Sequence, residues 1–359
     1  MNILLVTMEM NIGGAETHIL ELALSLKEHG HKVYVASSGG NFVPELEKGG
    51  VKHVYAPLKD KKPAHMIQSA KTIKRLIKEN KIDVVHAHAR IPGFICGIVC
   101  KRTHTHFVTT IHGIYKVNFI LKLLTNWGEK SLAVSKDIRD NAIKEYHLNS
   151  ENIFETINGI NTNRFIKKEV NIPEVRFDDS KFKIIHVSRL DKESVEVAKA
   201  LIDISEDLNK EIPQGTQLII VGSGNAYEDL IKRSAGKGNI IFTGARTDVD
   251  NLLNNADMFV GVSRAALEAM ACELPVILAG NSAYDQGYQG IFTEKGLELA
   301  KNTNFTCRDM KKLDLATLKK DIIRLSKEKA ENMGKYNRKV VLENYSVEKM
   351  MQDALNIYR

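Results

Sequence analysis

A histidine, an arginine and a glutamate stand at or just beyond the ends of predicted strands, where side chains and backbone amides can converge on a ligand. His112 follows the apolar run 107–111 and precedes Gly113. An imidazole there can hydrogen-bond a sugar hydroxyl or steady developing charge. Arg189 closes the run 184–188, and its forked donors suit a diphosphate; the competing reading is a surface pair with Asp191. Glu268 lies about one turn inside the Ala-rich helix that Ser263 is placed to cap. A carboxylate there can accept both vicinal hydroxyls of a ribose. It can equally be a structural glutamate or a partner of the helix dipole.

Glycine turns accompany them. Gly13-Gly14 joins the first strand to its helix, either to let a ligand approach the backbone or to make a tight turn with positive φ. Gly222-Ser223-Gly224 and the turn 244–248, which contains Arg246, follow two further strands. They suit a nucleotide and a base edge, or are plain connections. His86, His88, His104 and His106 invite a metal reading, but alternate residues of a strand share one face. They are read as packing or rim residues, and no metal site is expected. The chain has neither a G-x-x-x-x-G-K-[ST] loop nor a G-x-G-x-x-G turn, which disfavours NTP hydrolysis and nicotinamide chemistry.

The elements that must position these residues alternate from the start. Strands are predicted at 3–7, 32–37, 84–88 and 107–111, with helices between them. The alternation weakens over 167–181, around Pro173 and Asp178-Asp179. It restarts with strands at 182–187, 217–222, 240–243, 258–262 and 275–278. Short apolar strands separated by helices predict parallel sheets covered on both faces. The expected architecture is thus α/β: two Rossmann-like, doubly wound domains facing a cleft. They are placed at 1–166 and 182–340, with a linker at 167–181 and a terminal helix within 341–359.

Composition agrees with that architecture and narrows the partners. With 359 residues, 43% hydrophobic and 26% charged, the chain can bury two cores and is neither disordered nor fibrous. No apolar run reaches the length of a bilayer span, and the N-terminus reads as a buried strand rather than a signal peptide. Cys96, Cys100, Cys272 and Cys307 read as buried free thiols in a reducing, cytoplasmic compartment. Residues 1–165 carry 22 Lys and Arg against 15 Asp and Glu, whereas the remainder carries 29 of each. An anionic partner would therefore meet the first half, although solubility alone accounts for the excess equally well. A nucleic acid is not expected, since the excess is modest and one Trp accompanies it.

Taken in order, the stretches GGAETHILELALSLKEHGHKVYV, IDVVHAHAR, TTIHG, LAVSKDIRD, INGINTNRF, IIHVSRL, LIIVGSGNAYEDL, IIFTGARTDVDNLLNNADMFV and ALEAMACELPVI cover nearly the full chain. The ordered set resembles the family-4 group of nucleotide-sugar glycosyltransferases with two-domain GT-B architecture. By position, the resemblance implies that Gly13 and Gly14 wall the sugar-diphosphate site and that His112 contacts the transferred sugar. It likewise implies Arg189 on the donor diphosphate, Gly222 beside the nucleotide, Arg246 in the base-binding turn and Glu268 on the ribose. The terminal helix is expected to cross back onto the first domain. Two departures stand out. The first glutamate of the family's E-x7-E motif and its loop are missing, because Val262-Ser263-Arg264 runs straight into the helix. The lysine expected five residues after Arg189 is Ser194, so Lys192 or Arg264 is expected to supply the second cation.

The resemblance implies transfer of a sugar from a nucleoside diphosphate to a hydroxyl of a glycan or lipid-linked acceptor, with retention of configuration and in cell-envelope assembly. No cofactor is expected, and because no Asp-x-Asp pair is expected to hold a divalent cation, transfer is expected to be metal-independent. The alternative is a degenerate member that binds a nucleotide sugar or glycan without turnover. A stripe of Ile120, Leu123, Leu124 and Trp127, with Lys116 and Lys122 nearby, is compatible with docking to an anionic membrane or with packing on the sheet. Peripheral attachment to the inner face of the plasma membrane is the corresponding expectation.

Overall fold

The computed structural model describes residues 1–115, 117–118, 121–122, 124–328 and 330–359. Two compact units divide the chain: Met1–Gly159 with Val347–Arg359, and Ile160–Ser346.

The first unit runs β1 (Asn2–Val6), α1 (Gly14–Glu28), β2 (Lys32–Ser37), α2 (Val43–Lys48), β3 (Lys52–Tyr55), α3 (Pro63–Asn80), β4 (Val84–Ala87), α4 (Arg90–Thr103), β5 (His106–Ile111), β6 (Lys130–Ala133), α5 (Lys136–Tyr146) and β7 (Ile153–Glu155). Its seven strands lie in the order β3-β2-β1-β4-β5-β6-β7, every pair parallel. Ile3 to Val6 are all buried, because helices cover both faces and leave no side for polar alternation. On α1, Ile19, Leu22, Ala23 and Leu26 turn toward the sheet. The helix stops where Gly30 adopts φ +83, a conformation that costs glycine little.

The second unit runs β8 (Phe182–Val187), α6 (Glu196–Glu211), β9 (Thr216–Val221), α7 (Tyr227–Arg233), β10 (Ile240–Gly244), α8 (Val249–Asn254), β11 (Met258–Gly261), α9 (Ser263–Ala271), β12 (Val276–Ala279), β13 (Tyr288–Ile291), α10 (Leu297–Asn302), α11 (Leu315–Lys327) and α12 (Glu331–Asn344). The sheet order is β10-β9-β8-β11-β12-β13. Its pairs are parallel except that β13 runs antiparallel to β12.

The terminal helix α13 (Val347–Ile357) packs against α1 in the first unit. Met350, Met351, Ala354 and Ile357 enter that core, where each large apolar side chain is worth about 1.5–3 kcal/mol. Polar bonds fix the register of this return. Thr156 Oγ1 donates to Asp353 Oδ2 at 2.9 Å, and Tyr358 Oη lies 2.7 Å from His86 Nδ1.

The expected boundaries move. The chain passes to the second unit after Gly159, and the segment expected as a linker over 167–181 belongs to that unit. It is strapped down by polar side chains: Lys168 Nζ pairs with Asp250 Oδ2 at 2.8 Å, and Asn255 Nδ2 donates to the Val170 carbonyl at 3.0 Å. Ile172 and Val175 are buried. Such bonds leave no periodic signature in sequence. Residues 341–346 likewise finish α12 and its turn inside the second unit.

All four cysteines are free and buried. Of the proposed membrane stripe, Lys116, Ile120 and Leu123 lie outside the described residues. Leu124 is exposed, whereas Trp127 is buried and stacks with Tyr115 at 5.8 Å. Among the described residues no helix is long and apolar enough to cross a membrane.

Candidate functional site

In the first unit the strand order reverses between β1 and β4, and ligands of doubly wound sheets bind outside the carboxyl ends of strands at such a point. Three histidines gather there. His18 lies in the second turn of α1, which follows β1; His88 directly follows β4; His112 directly follows β5. His88 Nδ1 is 3.2 Å from His112 Nε2, and the His18 and His112 rings meet edge to face at 4.7 Å between centroids. His18 and His88 are buried and His112 is half-buried. Burial pulls the His112 pKa down to about 4 and holds His88 well below the usual imidazole range. His112 is therefore a neutral group near pH 7 that can give or take a hydrogen bond without contributing charge.

His86 forms the floor, stacked on His88 at 4.1 Å. Both of its nitrogens are engaged, by Tyr358 Oη and by Thr110 Oγ1 at 2.7 Å, and burial lowers its pKa to about 3. His104 ends α4 in a left-handed conformation, and His106 bonds the Ile357 carbonyl and Glu129. Sequence reasoning missed His18: a histidine inside an amphipathic helix reads as packing. Its distance from the Gly13-Gly14 turn was the usable signal. The glycines themselves do not adopt positive φ. Gly13 is extended at φ −175, and a Cβ on Gly14 would meet nothing within 4 Å. Turn geometry therefore does not explain this pair; the Glu16 carboxylate fills the place beside Gly13, and open space remains beside Gly14.

In the second unit the order reverses between β8 and β11. Arg189 follows β8, and α9 with Arg264 and Glu268 follows β11, so the two flank that point. Arg189 and Lys192 are exposed, and neither makes an ion pair among the described residues; Asp191 does not take Arg189. Ser194 is buried and ties their turn: its Oγ donates to the Arg189 carbonyl at 2.7 Å and lies 3.2 Å from the Asp191 N–H. Gly222 has φ +137, and a Cβ there would lie 1.9 Å from the Ser188 carbonyl oxygen. Close approach of two chain segments thus requires this glycine.

Ser263 does not cap α9 as expected. It is the first helical residue, its φ is +61, and its N–H donates to the Phe305 carbonyl at 2.6 Å. The unpredictable partner lies about forty residues on. Arg264 and Glu268 are both buried and paired, Nε to Oε1 at 2.8 Å. Burial raises the Glu268 pKa, and Arg264 partly opposes it. Arg246, beyond β10, is held fork to fork by Asp248, with both contacts at 2.7 Å. The Asp-x-Asp spacing passed over above is Asp248-Val249-Asp250. Both carboxylates already have cations, since Asp250 receives Arg164 and Lys168. Arg164, also missed, further holds the Thr247 carbonyl.

Residues 12–164 match the family model described as Glycosyltransferase Family 4, and residues 181–305 match that of Glycosyl transferases group 1. The chain belongs to the family-4 type of glycosyltransferases. The protein is a glycosyltransferase with GT-B architecture. It is 24% identical to N-acetyl-alpha-D-glucosaminyl L-malate synthase of Bacillus anthracis, covering 98% of this chain and 95% of that one. Alpha-monoglucosyldiacylglycerol synthase of Acholeplasma laidlawii is 25% identical over 81% of this chain and 84% of its own. The crystal structure of Anabaena HepE in complex with UDP and glucose superposes with a TM-score of 0.73 at 18% identity, covering 99% and 98% of the two chains.

Proposed function

We propose that this glycosyltransferase moves a sugar from a nucleoside-diphosphate donor to a hydroxyl of a glycan or lipid-linked acceptor, in cell-envelope polysaccharide or glycolipid assembly. The carrying observation is the second unit's switch point, where exposed Arg189 and Lys192, beyond β8, and the start of α9 with its deeper Glu268, beyond the neighbouring β11, flank the reversal of strand order. In this reading Arg189 and Lys192 meet the diphosphate and stabilise the charge that grows on it as the glycosidic bond breaks. Lys192 is the stronger candidate for the second cation, because Arg264 Nε is held by Glu268. Glu268 takes the ribose hydroxyls, Gly222 lies beside the nucleotide, and Arg246 shapes the base-binding turn. His112, neutral, contacts the transferred sugar, and Gly13 and Gly14 wall its site, with open space at Gly14.

No divalent cation is used, and configuration is retained. The name of the Acholeplasma relative, a glucosyldiacylglycerol synthase, supports the lipid-linked acceptor, whereas that of the Bacillus relative names malate, a small hydroxy acid. The basic first half and the exposed lysines of α3 favour work at the cytoplasmic face of an anionic membrane.

Thermal shift with UDP, GDP, ADP and dTDP and their common sugars, each with magnesium or with EDTA, tests this reading. One nucleotide sugar should raise the midpoint with its concentration, equally in EDTA. A flat panel, or a shift that requires magnesium, would overturn it.

A further inference from the structure

We propose that His18, His88 and His112 form a three-imidazole site for a zinc-class divalent ion, and that its occupancy blocks transfer. One ring nitrogen from each histidine lies within 4.8 Å of the other two. The tightest pair, His88 Nδ1 and His112 Nε2, is 3.2 Å apart. That is about the edge of a tetrahedron with metal–nitrogen bonds of ~2.0–2.1 Å, and loading the site requires His18 to close on this pair.

A further observation points to a ligand. Asn158 Oδ1 lies 3.2 Å from His18 Nδ1. A carboxamide oxygen only accepts, so it holds the proton on Nδ1 and leaves a lone pair on Nε2. Outer-shell partners of metal-binding histidines do the same.

Neutral imidazoles select zinc, nickel or cobalt over magnesium, which separates this site from any cation that might serve the diphosphate. Three histidines leave a fourth position for water. Coordination through Nε2 takes the lone pair of His112 and leaves it only an Nδ1–H donor, so in a loaded site it can no longer accept a hydrogen bond from a sugar hydroxyl. That blocking rests on the proposed role of His112, whereas binding of the ion does not.

The test uses the untagged full chain, stripped with EDTA and desalted, together with His18→Gln and His88→Gln variants whose folding is checked by circular dichroism. Cobalt titration should give the visible spectrum of a tetrahedral site at one ion per chain, displaced by zinc. Each variant should bind at least about tenfold more weakly. Zinc should inhibit transfer by the wild type, and inhibition of His18→Gln should need about tenfold more zinc. No cobalt spectrum, or undiminished binding by both variants, would overturn the site. Binding by the wild type without inhibition would overturn the blocking and, with it, the role given to His112.

Discussion

The buried Arg264–Glu268 pair permits a double-mutant cycle that separates holding the fold from holding the donor. The side chains are 7% and 11% exposed and meet through one contact of 2.8 Å. Glu268→Leu leaves a buried guanidinium without its carboxylate, a loss of about 3–5 kcal/mol. For a unit spanning Ile160–Ser346, about 3 kcal/mol lowers the melting midpoint by roughly 6–12 °C and the urea midpoint by about 1–2 M. Removing both charges in R264M/E268L should restore stability to within about 1–2 kcal/mol of wild type, since an apolar pair of similar volume avoids desolvating either ion. The raised pKa of Glu268 points the same way, because burial already opposes its charge. Far-UV circular dichroism follows both units, and fluorescence of Trp127, the single tryptophan, reports the first, so a transition seen by circular dichroism alone belongs to the second. Donor affinity, measured calorimetrically, should stay low in the double variant if Glu268 holds ribose. A cost below about 1 kcal/mol for Glu268→Leu would refute the buried-pair argument. Recovery of donor affinity along with stability would reduce Glu268 to a structural partner of Arg264.

His186 gives a second prediction. Buried, with Nδ1 donating to the Val260 carbonyl and Nε2 accepting from Ser188 Oγ, both at 2.8 Å, it has a pKa lowered to about 4 by burial. The unfolded chain binds the proton more readily, so this contribution is complete above pH 6.5 and is lost as pH falls toward 4. The loss reaches about 2 kcal/mol at pH 5 and about 3 kcal/mol below pH 4. Urea melts of the second unit at pH 7.5 and 5 should show it, and His186→Gln should flatten the slope. Ser194→Ala should cost about 1 kcal/mol and, by loosening the turn that carries Arg189, raise the donor KM more than it lowers kcat. Steady-state kinetics and thermal melting check both halves of that statement.

The fold was legible where burial is symmetrical. β1, β2, β4, β5, β8, β9 and β11 are short apolar runs, and helices on both faces make such runs the natural text of a parallel strand. The strands that escaped were peripheral or mixed. β3 is exposed at both ends and β7 over its last two residues; β6 begins Lys-Ser; β13 contains Gly290 at φ +85. His112, Arg189 and Glu268 were legible because each follows a legible strand by a short, countable distance. His18 was not, because its function as a neighbour of His88 and His112 depends on the β1–β4 crossover. Nor was the left-handed Ser263, whose conformation answers to the distant Phe305 carbonyl.

The two departures from the family pattern have one physical consequence. Where the expected lysine is absent, Ser194 closes the turn with bonds to its own backbone. Where the expected loop and its glutamate are absent, Gly261 and Ser263 carry the chain directly into α9, and Arg264 turns inward to Glu268. Both replacements spend polar groups inside the protein rather than on the donor. On the function proposed above, stabilisation of the departing diphosphate would then fall to Arg189, Lys192 and the backbone. A transferase built this way gains more of its rate from holding donor and acceptor in line, as in intramolecular reactions, than from cationic pull. Removing Lys192 should therefore be felt more sharply than in a site with a spare cation, because no neighbouring ammonium remains beside Arg189 to replace it.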